Sequence, residues 1–197
     1  MEKFTIKTFL IDELVGISQK NIEEHLKLYK GYVNNVNLIF NKISELKNDP
    51  EKNAYILGEL QRRFGFEFDG MRNHEYYFAH LSGGNKQINS KGELYKAIEK
   101  EWGSFENFLT YFKFIATTRG VGWTILYYDK ISGNLLNHWV DEHHLGALTG
   151  LSPVLALDMW EHAYVYDYPT SEKKKYIEAF FANLNWETVE ENYKKAM

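Results

Sequence analysis

No cysteine occurs among the 197 residues, which removes disulfides, thiolate metal sites and cysteine nucleophiles together. Any metal must be held by nitrogen and oxygen. Positive charge is also short: 23 Lys and Arg stand against 27 Asp and Glu, a net charge of -4. Such a chain has no general attraction for phosphate backbones or anionic membranes, so nucleic acid is not an expected partner. No apolar run approaches the ~18 residues of a membrane span. The stretch from Met1 to Leu14 alternates apolar and charged residues and lacks the apolar core of a secretory signal. A cytoplasmic protein with no membrane partner is expected. What the chain does have is 44% hydrophobic and 16% aromatic residues, enough for a real core in one compact domain or two small ones.

Apolar residues recur at Ile22, Leu26, Tyr29, Val33, Val36, Phe40 and Ile43. That 4-3 spacing predicts a long packed helix from Ser18, a plausible N-cap, to Lys47. A second helix is expected over about Glu51 to Phe64, ending near Gly65, and a third over about Asp69 to Leu81. Small residues at Ser82-Gly83-Gly84-Asn85 mark a linker and place a domain boundary there. Beyond it, Glu93 to Trp102 and Ser104 to Thr117 read as helices. Trp123 to Tyr128 and Leu135 to Val140, rich in β-branched and aromatic residues, read as a hairpin, with Val154 to Leu157 as a third strand. From Ser171 to Tyr193 helical spacing returns. The expected fold class is α+β: an N-terminal long-helix hairpin domain over residues 1–84, then a C-terminal α/β domain over 85–197 with a small three-stranded antiparallel sheet.

Seven histidines are the main chemical resource. His25 lies at the edge of the first helix's apolar stripe and His74 lies within the third's, so both imidazoles point inward and need a partner or a metal. The densest cluster is Asp158-Met159-Trp160-Glu161-His162-Ala163-Tyr164, directly after an apolar run. Asp158 and His162, four apart, can supply two ligands from one rigid segment while Trp160 covers them; the same spacing also suits a plain ion pair.

That segment resembles the DxWEHAY signature of the iron/manganese superoxide dismutases. Tyr32-Val33-Asn34-Asn35, Asn73-His74, Gly122-Trp123-Thr124 and Asn185-Trp186 resemble further family segments in the same order. The resemblance implies a protein that converts superoxide to dioxygen and hydrogen peroxide at one Fe or Mn ion per chain, bound by three His and one Asp. By motif, His74, Asp158 and His162 match the second, third and fourth ligands. For the first, counting from different landmarks gives His25 or Glu24. Helix phase favours His25: at about 100° per residue Glu24 sits opposite the apolar stripe, while His25 and Tyr32 share one flank of it.

Tyr32 matches the family's gateway tyrosine, a proton donor and access gate. The glutamine that some members place four residues before the second ligand is Gly70 here. The alternative donor to the metal-bound solvent is then His143, in the loop after the second strand, with His144 as its competitor. Glu161 matches a residue that reaches the other subunit's fourth ligand, which implies a homodimer. Leu28 and Val165 replace a histidine and a tyrosine that pair across that interface, and losing both leaves no orphaned polar group. Two other readings of the same chain are a non-catalytic interaction protein of this fold and a metalloprotein with another redox reaction.

Overall fold

The computed structural model describes residues 3–197; Met1 and Glu2, the start of the alternating N-terminal stretch, lie outside the described residues. Helix α1 runs over Gln19–Leu46, with the Ser18 hydroxyl accepting from the Asn21 amide at its start. Its buried face carries Ile22, His25, Tyr29, Val33 and Val36. Helix α2 spans Ala54–Leu81 without interruption. The sequence predicts a break near Gly65, and the structure has none. One interior glycine weakens a helix by only about 1 kcal/mol, which the packing of α2 against α1 outweighs. A Cβ at Gly65 would lie 3.4 Å from the His144 ring, an ordinary van der Waals contact, so the packing does not require glycine there. Phe4, Phe40, Phe64 and Phe68 fill the space between the helices and the N-terminal segment.

The expected helices after the Ser82–Gly84 connection form as α3, Glu93–Trp102, and α4, Phe105–Ala116, the latter capped by the Ser104 hydroxyl. Three antiparallel strands follow: β1 Gly122–Asp129, β2 Asn134–Asp141 and β3 Ser152–Asp158, in the order β2-β1-β3. The central strand opens on Gly122, where a Cβ would fall 2.2 Å from the Val140 carbonyl oxygen. No other residue fits that register. Pairing sets Trp123 of β1 directly opposite Asp158 of β3. The C-terminal stretch, read as one helical region, is two helices, α5 Lys173–Asn183 and α6 Trp186–Ala196. The Asn185 side chain accepts the first amides of α6, which favours a new start over continuation.

The buried cluster is continuous from Tyr29 and Phe78 of the long helices through Leu126 and Leu155 of the sheet to Phe112 and Phe180. Burial of side chains this size stabilises by about 1.5–3 kcal/mol each. Two consequences matter for function: α1 and α2 run past the open end of the sheet, and β3 ends there on a carboxylate. Among the described residues no helix is long and apolar enough to cross a membrane.

Candidate metal centre

Four side chains meet where the two long helices pass the sheet. His25 comes from α1, His74 from α2, Asp158 from the last position of β3, and His162 from the 3-10 turn Glu161–Ala163. One donor atom from each lies within 4.8 Å of all the others. The Asp158 Oδ2 atom is the hub: Nε2 of His25 and of His162 are each 3.1 Å from it, and Nε2 of His74 is 3.5 Å away. His25, His74 and Asp158 are fully buried, while His162 keeps 19% of its side chain exposed.

Protonation states follow from the surroundings. Burial holds His25 below the ordinary imidazole range and His74 well below it, the neighbouring His25 adding to the effect on His74. Burial alone would raise Asp158, but His162 and His25 outweigh it and keep the carboxyl well below the usual carboxylate range. The Gly70 carbonyl, 2.6 Å from His74 Nδ1, fixes the tautomer by accepting Nδ1–H. His74 Nε2 therefore presents a bare lone pair, has no hydrogen-bond partner, and faces a carboxylate oxygen. Two lone-pair atoms aimed at each other in a dry site are unfavourable unless a cation lies between them. The donor set, three imidazoles and one carboxylate, fits a first-row transition metal.

Around this centre a second chain of contacts runs outward. Trp123 Nε1 donates to His143 Nδ1 at 2.9 Å, and His143 Nε2 is 2.7 Å from the Tyr32 hydroxyl oxygen. An indole N–H can only donate, so His143 Nδ1 is the acceptor and its proton sits on Nε2. His143 thus donates to the Tyr32 oxygen, which leaves the phenolic proton free to be given elsewhere. Burial pushes His143 down to about 3, so this neutral tautomer persists. Burial, reinforced by the Asp158 carboxylate, raises the Tyr32 phenol well above its ordinary value.

Gly70 makes this arrangement possible. A Cβ on residue 70 would fall 2.8 Å from Tyr32 Cδ1 and 3.2 Å from His143 Cδ2, so even a methyl group there would press on both rings. The His143 loop is held by Asn73, which donates to the His143 carbonyl, and follows Glu142 at φ 52, a left-handed conformation. Trp160 stacks on His143 with ring centroids 4.7 Å apart and donates through its indole to the Glu142 carbonyl.

Of the residues singled out from sequence, the structure brings His25, His74, Asp158, His162, Tyr32 and His143 together. It does not bring in Glu24, which lies on the solvent side of α1 paired with Lys20 and Lys27. Those two ammonium groups hold its carboxyl down at about 2. His144 packs edge-on against Phe66, away from Tyr32. Glu161 is exposed beside the centre and contributes no donor to it. Sequence reasoning missed Phe66, whose ring walls the Tyr32–His143 pair, and Tyr176, whose hydroxyl donates to the Asp158 carbonyl at 2.9 Å. Neither residue lies in a local motif that would have marked it.

Comparison with known proteins adds kinship to geometry. The family description "Iron/manganese superoxide dismutases, C-terminal domain" matches residues 90–192. The chain is 37% identical over 189 residues to superoxide dismutase [Fe] of Aquifex aeolicus (strain VF5), covering 93% of this chain and 87% of that protein. The chain belongs to the iron/manganese superoxide dismutases. Superoxide dismutase [Fe] of Tetrahymena pyriformis is 34% identical over 88% of this chain and 89% of its own length. Superoxide dismutase [Mn] of Mycolicibacterium smegmatis (strain ATCC 700084 / mc(2)155) is 33% identical over 90% and 84%. Members named for iron and for manganese thus stand at similar identity, and the donor set of this dismutase-family chain accepts either metal.

Proposed function

We propose that the protein is a superoxide dismutase working with one Fe or Mn ion held by His25, His74, Asp158 and His162. The observation that carries this reading is the orphaned Nε2 of His74, facing Asp158 with its tautomer fixed by Gly70. Fe or Mn held by these four side chains would supply the one-electron redox chemistry that converts superoxide to dioxygen and, with two protons, hydrogen peroxide.

The chain's own residues do the rest. The buried wall of Tyr77, Phe78 and Trp123 around His25 and His74 excludes water and fixes both rings. Trp160 gives its backbone N–H to Asp158 Oδ1 at 2.8 Å, which leaves Oδ2 turned to the centre. Tyr32, receiving a hydrogen bond from His143, offers its phenolic proton toward the substrate side. Catalytic roles accordingly fall to Tyr32 and His143. Protein reconstituted with Fe or Mn is expected to dismute superoxide, with activity and metal content both lost in His74→Ala and Asp158→Ala. A folded, metal-loaded protein without turnover would point to another redox reaction.

The reading extends to a cytoplasmic homodimer with Glu161 at its interface, and to lobes divided at residues 84 and 85. Supporting the interface, Glu161 is exposed beside the part-open His162, and Leu28, Val165 and Tyr166 expose apolar surface.

A further inference from the structure

Three of the four side chains assigned to the metal, His25, His74 and Asp158, have no exposed surface, so an ion reaches or leaves them only when packing opens. The wall behind the two helical histidines is thin. The Phe78 ring of α2 lies 4.9 Å from the His25 ring and 6.1 Å from that of His74. Phe9, from the segment ahead of α1, packs on Phe78 at 5.4 Å and is itself only partly buried. On this side two phenyl rings stand between the ligands and solvent.

The segment that carries Phe9 is fastened mainly by side chains. Residues 4–13 form no helix or strand, and most of them are exposed. The amides of Phe4, Lys7, Leu10 and Val15 donate to the side chains of Asn37, Tyr29, Ser82 and Asn183. Two of these partners are clamps, each holding both the amide and the carbonyl of one residue. Asn37 of α1 accepts from the Phe4 amide at 2.9 Å and donates to the Phe4 carbonyl at 2.9 Å. Asn183 of α5 holds Val15 in the same way, at 2.9 and 2.8 Å. Phe9 lies between the clamps. A segment with its backbone largely in water and no strand ladder opens locally at far less cost than the core behind it.

We propose that residues 4–15 form a strap whose local release unseats Phe9 and opens a rear route, past Phe78, by which the metal ion reaches and leaves His25 and His74. The ion then takes a path separate from the Tyr32–His143 side. The proposal rests on the four-ligand reading above.

The test is the rate at which the Fe- or Mn-loaded protein gives up its ion to excess EDTA, well below the unfolding temperature, followed by elemental analysis of the protein after gel filtration. F9A is expected to release the ion about 30-fold faster than wild type, because it removes the outer ring of the plug. N183A, which loses both bonds to Val15, should release it roughly 10-fold faster. Neither residue touches the ligands, so activity per bound ion should be unchanged in both. F66A thins the Tyr32–His143 side instead, and its release rate should stay within about 2-fold of wild type. So should that of F112L, a core variant on α4 packed between Phe108 and Phe181, even though its unfolding temperature falls. Release at the wild-type rate in both F9A and N183A would overturn the proposal, as would faster release in F66A than in F9A. F112L matching F9A would overturn it too, since release would then follow global unfolding rather than the strap. If F9A fails to fold, N183A compared with F112L still decides. A wild type that holds no Fe or Mn would instead overturn the four-ligand reading beneath the proposal.

Discussion

Replacing Gly70 by alanine separates stability from activity at one position. In a helix interior alanine is favoured over glycine by about 1 kcal/mol. Against that, the new methyl carbon would sit 2.8 and 3.0 Å from Tyr32 Cδ1 and Cε1, and 3.2 Å from His143 Cδ2. The Tyr32 ring cannot simply yield, because its hydroxyl is 2.7 Å from His143 Nε2 and Phe66 flanks both rings. Overpacking of this kind costs about 1–3 kcal/mol, so the net change in stability is a loss of roughly 0–2 kcal/mol. The Gly70 carbonyl remains to accept from His74 Nδ1, so metal content should stay at the wild-type level. Displacing Tyr32 should disturb the donated proton, and positioned proton transfer contributes about 10²–10⁴-fold, so a partial loss of about 10-fold in turnover is expected. Thermal unfolding, metal analysis and pulse radiolysis on one preparation check the three parts. A variant more stable by about 1 kcal/mol with full turnover would refute the reasoning, because it would show that Gly70 does not set the position of Tyr32.

His25→Ala should lower bound Fe or Mn sharply while Glu24→Gln leaves it unchanged, as elemental analysis of purified variants would show; the reverse result would exchange their roles. Acid should destabilise the protein through buried His80, which is held down to about 4 chiefly by burial. Its folded-state pKa lies below the unfolded value near 6.5, so its contribution is full above about pH 6.5 and is lost as pH falls toward 4. At about 1.4 kcal/mol per pH unit this is roughly 3 kcal/mol over the window. His80→Gln should flatten the denaturation midpoint between pH 6.5 and 4, and an unchanged slope would exclude His80 as its source. Sedimentation should give twice the chain mass of 23.2 kDa, and a monomer that is fully active would remove the interface assigned to Glu161.

Contiguity decided how much of this was legible in the sequence. The 4-3 apolar spacing of α1 is a local signal, and its Ser18 cap lies where the pattern begins. Gly65 misleads because local propensity suggests a stop there, whereas tertiary packing carries α2 through it. The last two helices merge in the pattern because Leu184 and Asn185 break the helix without breaking its apolar spacing. At the site, Asp158 and His162 are readable from one heptapeptide. The Trp123–His143–Tyr32 chain is not, since its last bond joins residues 111 apart. Family resemblance supplied His143, but only the fold shows that a donor-only indole fixes its tautomer and that Gly70 leaves it room.

Anomalous diffraction from crystals of the Fe- or Mn-loaded protein, recorded on both sides of the metal's absorption edge, tests the central claim most directly. One peak per chain is expected, enclosed by Nε2 of His25, His74 and His162 and by Oδ2 of Asp158. A peak elsewhere, or none in protein that still consumes superoxide, would contradict the assignment of these four side chains as the metal's ligands.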